Sequence, residues 1–142
     1  MAVKKHKLEQ AIDEDICLLG LVTDEVDYRF CWLLNRELQT DFRREEDLVL
    51  LNKKLNVEQS FPLFSYVDKL AFLTYRIIGN RLDEAVFLED LKNLDYLIHI
   101  QGEIYPDNIR EFIDSVTSVP GVRMCVPVDL EKLRSRERLY LW

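Results

Sequence analysis

Apolar and polar residues alternate in a pattern that outlines a β-α-β unit near the C-terminal end of the chain. Residues 96–101 alternate with a period of two, which predicts a strand. Pro106 and Asp107 then supply helix-start residues, and apolar residues spaced three and four apart predict a helix that Pro120 ends. Alternation resumes over residues 122–129, which predicts another strand. Because a crossover of this length joins strands of one sheet, we expect the helix to lie on that sheet.

The first half of the chain predicts a central strand followed by a helix. Residues 16–22 form a short, continuous apolar run, which is typical of a strand covered on both faces. We expect Thr23 or Asp24 to cap a helix that runs to about Gln39, with acidic residues in its first turn, where the helix dipole favours them. Pro127 cannot donate to a ladder and therefore predicts that the last strand lies at a sheet edge or that the strand ends there.

Shorter segments between these units predict further strands. Residues 48–51, 61–67 and 70–78 are strand-like, and the last two are close enough to form a hairpin. Residues 81–93 are expected to be irregular or briefly helical. The order of elements predicts an α+β fold with a ferredoxin-like or ACT-like sheet, mostly antiparallel, and two main helices packed on one face.

Composition supports a single domain over residues 1–142. Of these residues, 48% are hydrophobic and 32% are charged, which is ordinary for a globular chain. Residues 1–12 are expected to form a loosely ordered arm. Residues 139–142 form an apolar tail, which we expect to pack against its own domain or against a neighbour.

Charge and cysteine content narrow the class of protein. The formal net charge of −7 argues against a protein that binds the phosphate backbone of nucleic acids through Lys and Arg. No apolar run approaches the length that a bilayer requires, and the run at Ile16 is too short for a signal peptide. Three cysteines, an odd number, each lie in an apolar pattern, so we expect buried, reduced thiols and a cytoplasmic location.

The first predicted helix carries aromatic residues on two sides. At about 100° per residue, one side collects the expected core residues Val26, Phe30, Leu33, Leu34 and Leu38. Tyr28 and Trp32, four residues apart, lie on roughly the opposite side. One interpretation is that residues 40–60 or the C-terminal tail cover this pair. The other is a surface for a partner or a second copy, since Tyr and Trp are enriched in interfaces. The candidate interface residues are Tyr28, Trp32, Leu139, Tyr140, Leu141 and Trp142.

Residues with catalytic chemistry do not form a recognisable constellation. His6 and His99 are the two histidines, no cysteine pair has metal-ligand spacing, and the glycines are too far apart for a phosphate loop. His99 is expected to be a satisfied or half-exposed strand residue, because no acid-base partner can be named for it. We therefore expect no catalytic residue, no metal site and no cofactor, and we predict a protein that is not an enzyme.

Residues 27–35, which read DYRFCWLLN, resemble a helix of small bacterial proteins named for the motif IPExxxVDY. The naming motif falls on residues 88–96, where the Leu-Asp-Tyr end matches, while Glu89 and Asp90 stand where the family has proline and glutamate. The resemblance covers about residues 15–142. It implies a shared fold and supplies no catalytic residue. A weaker resemblance to ACT domains implies a ligand loop after the first strand.

Two functions from different classes remain open at this point. The first is a non-enzymatic interaction or regulatory module that associates with itself, as a homodimer, or with another protein. The second is a small-molecule sensor of ACT-like type that binds its ligand at a subunit boundary, with the candidate ligand loop Gly20, Thr23, Asp24 and Asp27. A basic cluster at residues 132–138 could bind RNA, but acidic residues dilute it, so nucleic acid is not the expected partner. A membrane is not expected either.

Overall fold

A computed structural model describes residues 8, 11–13, 15–82 and 85–142 of the chain. Within these residues the fold is α+β, with strands β1–β9 and helices α1 and α2. The strands are β1 Ile12–Asp13, β2 Ile16–Thr23, β3 Arg43–Arg44, β4 Leu48–Asn52, β5 Val57–Phe61, β6 Leu63–Asp68, β7 Leu73–Gly79, β8 Tyr96–Gly102 and β9 Val122–Pro127. The helices are α1 Asp27–Leu38 and α2 Pro106–Thr117, and short 3-10 turns span Glu89–Leu91, Leu130–Lys132 and Arg136–Tyr140.

A mostly antiparallel sheet forms the centre of the molecule, as the alternating pattern predicted. Its strand order is β1-β2-β8-β7-β6-β3, and β9 pairs with β2. The described pairings of these strands are antiparallel. Strand β9 pairs with β2 alone within the described residues, which confirms the edge position that Pro127 predicted. Strands β4 and β5 form a separate two-stranded hairpin.

Alternate residues of the central strands contribute to two apolar clusters. Cys17, Leu19 and Leu21 of β2 belong to the first cluster, together with buried residues of both helices. Leu18 of β2 and Leu97 of β8 belong to the second cluster, which also contains side chains from the loop after β7, the β4–β5 hairpin and the C-terminal segment. The prediction that residues 16–22 are covered on both faces is therefore confirmed.

Helix α1 begins later than the sequence predicted. Thr23 does not cap it, because Thr23 is the last residue of β2 and its hydroxyl donates to the carbonyl of Gly121 at 2.7 Å. Asp24 and Glu25 precede the helix, so Asp27 is the acidic residue of the first turn. Val26, predicted on the core side, is the N-cap residue and is 51% exposed.

The ends of the chain contribute buried side chains to the core. Most of the predicted loose arm lies outside the described residues, but Leu8 and Ala11 are buried in the first cluster. Leu139, the first residue of the apolar tail, is fully buried in the second cluster. The rest of the tail, residues 140–142, is partly exposed.

One buried polar side chain, Asn80, organises the irregular segment between β7 and β8. Its Nδ2 donates to the carbonyls of Leu91 and Leu94, both at 2.8 Å, and its Oδ1 accepts from the Leu88 amide at 2.9 Å. Its backbone carbonyl accepts a further bond from the Phe87 amide. These bonds hold Phe87 and Leu88 in the second cluster, where both are buried.

We predict that Asn80→Ala destabilises the fold by about 3 kcal/mol, because it leaves two carbonyls and one amide without their partner. Urea denaturation followed by tryptophan fluorescence measures the change in the free energy of unfolding. Asn93→Ala is the matched control, since Asn93 is exposed on the same loop. Equal stability of the two variants would contradict the role assigned to Asn80.

Candidate functional site

The outer face of α1 presents two large aromatic side chains to solvent. Tyr28 is 71% exposed and Trp32 is 52% exposed. The interpretation that residues 40–60 or the C-terminal tail cover this pair is therefore wrong. On the opposite side of the helix, Phe30, Leu33 and Leu34 are buried, as their spacing predicted, and Cys31 joins them.

Arginine side chains flank Trp32 along the helix. The guanidinium carbon of Arg36 lies 4.7 Å from the centroid of the indole ring, and that of Arg29 lies 5.9 Å from it. Positions three residues before and four residues after Trp32 share its face, which explains why both reach the ring. Arg29 also pairs with Glu25 at 3.1 Å, and Arg36 pairs with Glu37 at 2.9 Å. The face thus combines exposed aromatic surface with charges of both signs.

The C-terminal candidate residues occupy a different part of the molecule. Leu139 is buried in the second cluster, so it is unavailable to a partner, and this part of the predicted interface is corrected. Tyr140 and Leu141 are 43% and 48% exposed, and Trp142 is 37% exposed. The buried residues of α1 belong to the first cluster, so the six candidate residues form two groups and not one surface. The group on α1 carries the larger aromatic exposure.

His99 fixes the tail to the sheet. Its Nε2 lies 2.8 Å from the carbonyl oxygen of Leu139, and its ring centroid lies 4.9 Å from that of Trp142. The guanidinium of Arg76 lies on the indole of Trp142, 4.5 Å from its centroid. His99 is fully buried, and burial lowers its pKa from 6.5 to about 4, with the positive charge of Arg76 acting in the same direction. The imidazole of His99 is therefore neutral at physiological pH, and its contacts hold the C-terminal tail against the sheet.

The tail is also fixed at its 3-10 turn. The hydroxyl of Tyr140 donates to Asp13 Oδ2 at 2.6 Å, and Arg136 donates to the same oxygen. These bonds lower the pKa of the Asp13 carboxyl, with the Tyr140 bond as the largest cause. No local pattern indicated this link, because Asp13 and Tyr140 are separated by almost the whole chain.

Three of the four residues of the candidate ligand loop line one open pocket. Thr23, Asp24 and Asp27 border a space of about 450 Å³ beside Arg81 and Tyr96. Gly20 does not take part, because it lies within β2, where an added Cβ would collide with the Leu94 side chain. The lack of a side chain at Gly20 leaves room for Leu94 to pack against β2.

Several polar groups of this pocket are already engaged. The Thr23 amide donates to Asp95 Oδ2 at 3.1 Å, and the Tyr96 hydroxyl donates to the Glu25 carbonyl at 2.8 Å. Asp24 forms an ion pair with Arg123. Sequence reasoning did not identify Asp95 or Tyr96 as neighbours of this loop, since only the pairing of β2 with β8 brings them there.

The three cysteines lie in the apolar core. Cys17, Cys31 and Cys125 are buried free thiols, as expected. Burial raises the pKa of Cys17 and of Cys125 to about 12 and also raises the pKa of Cys31. All three are therefore protonated, and weakly nucleophilic, at neutral pH. Across the described part of the chain, no group of three His, Cys, Asp or Glu side chains could hold a metal ion.

Comparisons with known proteins give no assignment. No family model matches the sequence, and neither the curated proteins nor the solved structures contain a match to it. The resemblance to IPExxxVDY proteins stays a prediction. Among the described residues, neither α-helix combines the length and apolar character needed to cross a membrane.

We predict a pH dependence of stability that originates at His99. Because the folded state lowers its pKa from 6.5 to about 4, the unfolded chain binds more protons between these values. The contribution of His99 is complete above about pH 6.5 and is lost as the pH falls, by up to ~3 kcal/mol. Chemical denaturation at several pH values measures this slope.

The comparison removes the imidazole of His99. His99→Gln should flatten the slope between pH 4 and pH 6.5 relative to the unsubstituted chain. Identical slopes for His99→Gln and the unsubstituted chain would show that His99 titrates normally in the folded protein.

Proposed function

We propose that this protein is a non-enzymatic interaction module of the cytoplasm that forms a homodimer through the outer face of α1. The observation that carries the proposal is the exposure of Tyr28 and Trp32 on one helix face, with Arg29 and Arg36 beside the indole ring. Trp, Tyr and Arg are the residue types that contribute most to binding energy at protein interfaces. The arginines also restrict the indole, so that less side-chain entropy is lost on binding.

A second copy is the partner that this face suits best, because its charges are self-complementary. Glu25 precedes the helix and Arg36 lies in its last turn, with Trp32 between them. When two copies of α1 pack antiparallel across a twofold axis, Glu25 of one copy approaches Arg36 of the other, and the two indoles meet near the centre. A parallel arrangement would bring like charges together. Twofold contacts of this kind are the commonest among soluble oligomers.

We further propose that the core is ferredoxin-like, with both helices on the same face of the sheet. The order β9-β2-β8-β7 and the antiparallel pairing of neighbours support this arrangement, with β6 and the β4–β5 hairpin as additions. The membership of both helices in the first apolar cluster supports it as well. The resemblance to IPExxxVDY proteins is consistent with such a shared fold.

We predict that Trp32→Ala raises the dissociation constant of the homodimer by roughly 30-fold, equivalent to about 2 kcal/mol, because it removes the central aromatic contact. Its effect on the free energy of unfolding should be below about 0.5 kcal/mol, since the side chain is largely exposed in one copy. Sedimentation equilibrium measures the first quantity and urea denaturation the second.

Tyr105→Ala is the matched control for this experiment. Tyr105 is 59% exposed and is the N-cap residue of α2, not a residue of the α1 face, so its substitution should leave the dissociation constant unchanged. A dimer that withstands Trp32→Ala but is weakened by Tyr105→Ala would refute the assignment of the interface to α1.

The pocket beside α1 supports a second candidate function, a small-molecule sensor of ACT-like type. The specific observation is that Thr23, Asp24 and Asp27 line a pocket of about 450 Å³ directly before the helix that carries Tyr28. A ligand there would act on the start of the proposed dimer helix. Thermal denaturation in the presence of each of the standard amino acids tests this candidate. A melting temperature that rises with one of them, and does not rise in Asp27→Asn, supports the sensor; no shift with any of them opposes it.

A further inference from the structure

Another pocket, separate from the candidate ligand loop, lies between the end of α1, the β6–β7 hairpin and α2. Its volume is about 400 Å³, within the range of small-molecule sites. Three aromatic side chains, from three different elements, line it: Tyr66 of β6, Tyr75 of β7 and Phe112 of α2. The pocket adjoins the proposed dimer face at one residue, because Glu37 lines the pocket and pairs with Arg36 of that face.

The aromatic rings form one continuous wall. Tyr66 and Tyr75 are directly opposite in the antiparallel register, and their rings stack with centroids 5.8 Å apart at an interplanar angle of 23°. Phe112 extends the wall, with its centroid 4.9 Å from that of Tyr75. Phe42, which is buried, supports Tyr66 from behind at 5.5 Å. The wall is therefore held in place by packing before any ligand arrives.

Both charged residues that line the pocket are acidic, and no Lys or Arg lines it among the described residues. Glu37 is paired with Arg36 at 2.9 Å, which leaves Asp68 as the carboxylate without a basic partner in the pocket. Asp68 Oδ1 accepts from the amides of Leu70 and Ala71 at 3.2 and 3.1 Å, which fixes the carboxylate at the end of β6. Burial, and next the charge of Asp68, raise the pKa of Tyr75 to about 12, so its hydroxyl stays neutral.

We propose that this pocket binds an alkylammonium cation, such as the trimethylammonium group of choline or of a methylated lysine. Aromatic rings attract such a cation through their electron-rich faces, and the carboxylate of Asp68 adds a direct electrostatic attraction. A weakly hydrated organic cation loses little solvation on entering an aromatic site. An anion would be repelled by Asp68, and the net charge of −7 opposes its approach.

Choline and its neutral isostere, 3,3-dimethyl-1-butanol, provide the direct test, because they share a shape and differ in charge. Titrations of the full chain, followed by the aromatic resonances of Tyr66, Tyr75 and Phe112 in NMR spectra, give both affinities. We expect choline to bind with a dissociation constant on the order of 1 mM and the isostere to bind at least about tenfold more weakly. Equal affinities, or no saturable shift with choline, would overturn the proposal.

Two substitutions locate the binding within the pocket. Tyr66→Leu removes a ring from the half-buried rim and should weaken choline binding about tenfold, whereas Tyr66→Phe keeps the ring and should preserve it. Asp68→Asn keeps an acceptor for the two turn amides and removes the charge, so it should weaken binding by roughly fivefold. Unchanged affinity in Tyr66→Leu would place the cation elsewhere and overturn the assignment.

A final comparison separates the two sources of the cation. Free choline and a short peptide that contains trimethyllysine are titrated under the same conditions. Tighter binding of the peptide assigns the pocket to a modified protein tail, and tighter binding of choline assigns it to a free metabolite. Whichever ligand binds more tightly, it should bind Tyr66→Leu more weakly than the unsubstituted chain. Equal binding to the two proteins would refute the proposal.

Discussion

The pairing of β2 with β8 is the constraint on which the rest of this structure depends. Six residue pairs join them, from Ile16 with Gln101 to Leu21 with Tyr96, and their side chains are buried on both faces of the sheet. Such a pair is stable only when both faces are removed from water. Buried helix residues contribute to one cluster, while loops, the β4–β5 hairpin and the C-terminal turn supply the other. Helix α1 therefore has one face committed to the core and one face free.

Among the described residues, the second cluster contains none from an α-helix, and individual polar contacts hold its segments together. Asn80 fixes the loop before β8, and His99 fixes the tail through the Leu139 carbonyl. Both side chains are fully buried, so water cannot replace their hydrogen bonds when a partner is lost. Asn and His often take part in catalysis or binding, but here Asn80 and His99 hold the parts of an apolar core together. Outside these cores, the outer face of α1 presents exposed aromatic side chains, and open pockets border the sheet.

Local patterns predicted much of this fold. The apolar run over 16–22, the helix that begins at Pro106 and the edge strand at Pro127 were predictable because each depends on neighbouring residues. The start of α1 was not, because the Thr23 hydroxyl binds Gly121, a residue 98 positions away. The same limit applies to the candidate sites. The spacing of Tyr28 and Trp32 indicated a shared face, but only the folded chain shows that nothing described covers it.

The pocket lined by Tyr66, Tyr75 and Phe112 likewise requires the register of β6 with β7 and the position of α2, neither of which a linear pattern contains.

Native mass spectrometry of the unsubstituted protein tests whether the free face of α1 joins two copies of the chain. We expect a principal species at twice the 16.9 kDa chain mass, in equilibrium with the monomer on dilution. A spectrum with only the monomer, at micromolar concentration and low ionic strength, would contradict the claim and leave the exposed Trp32 face without a second copy as its partner.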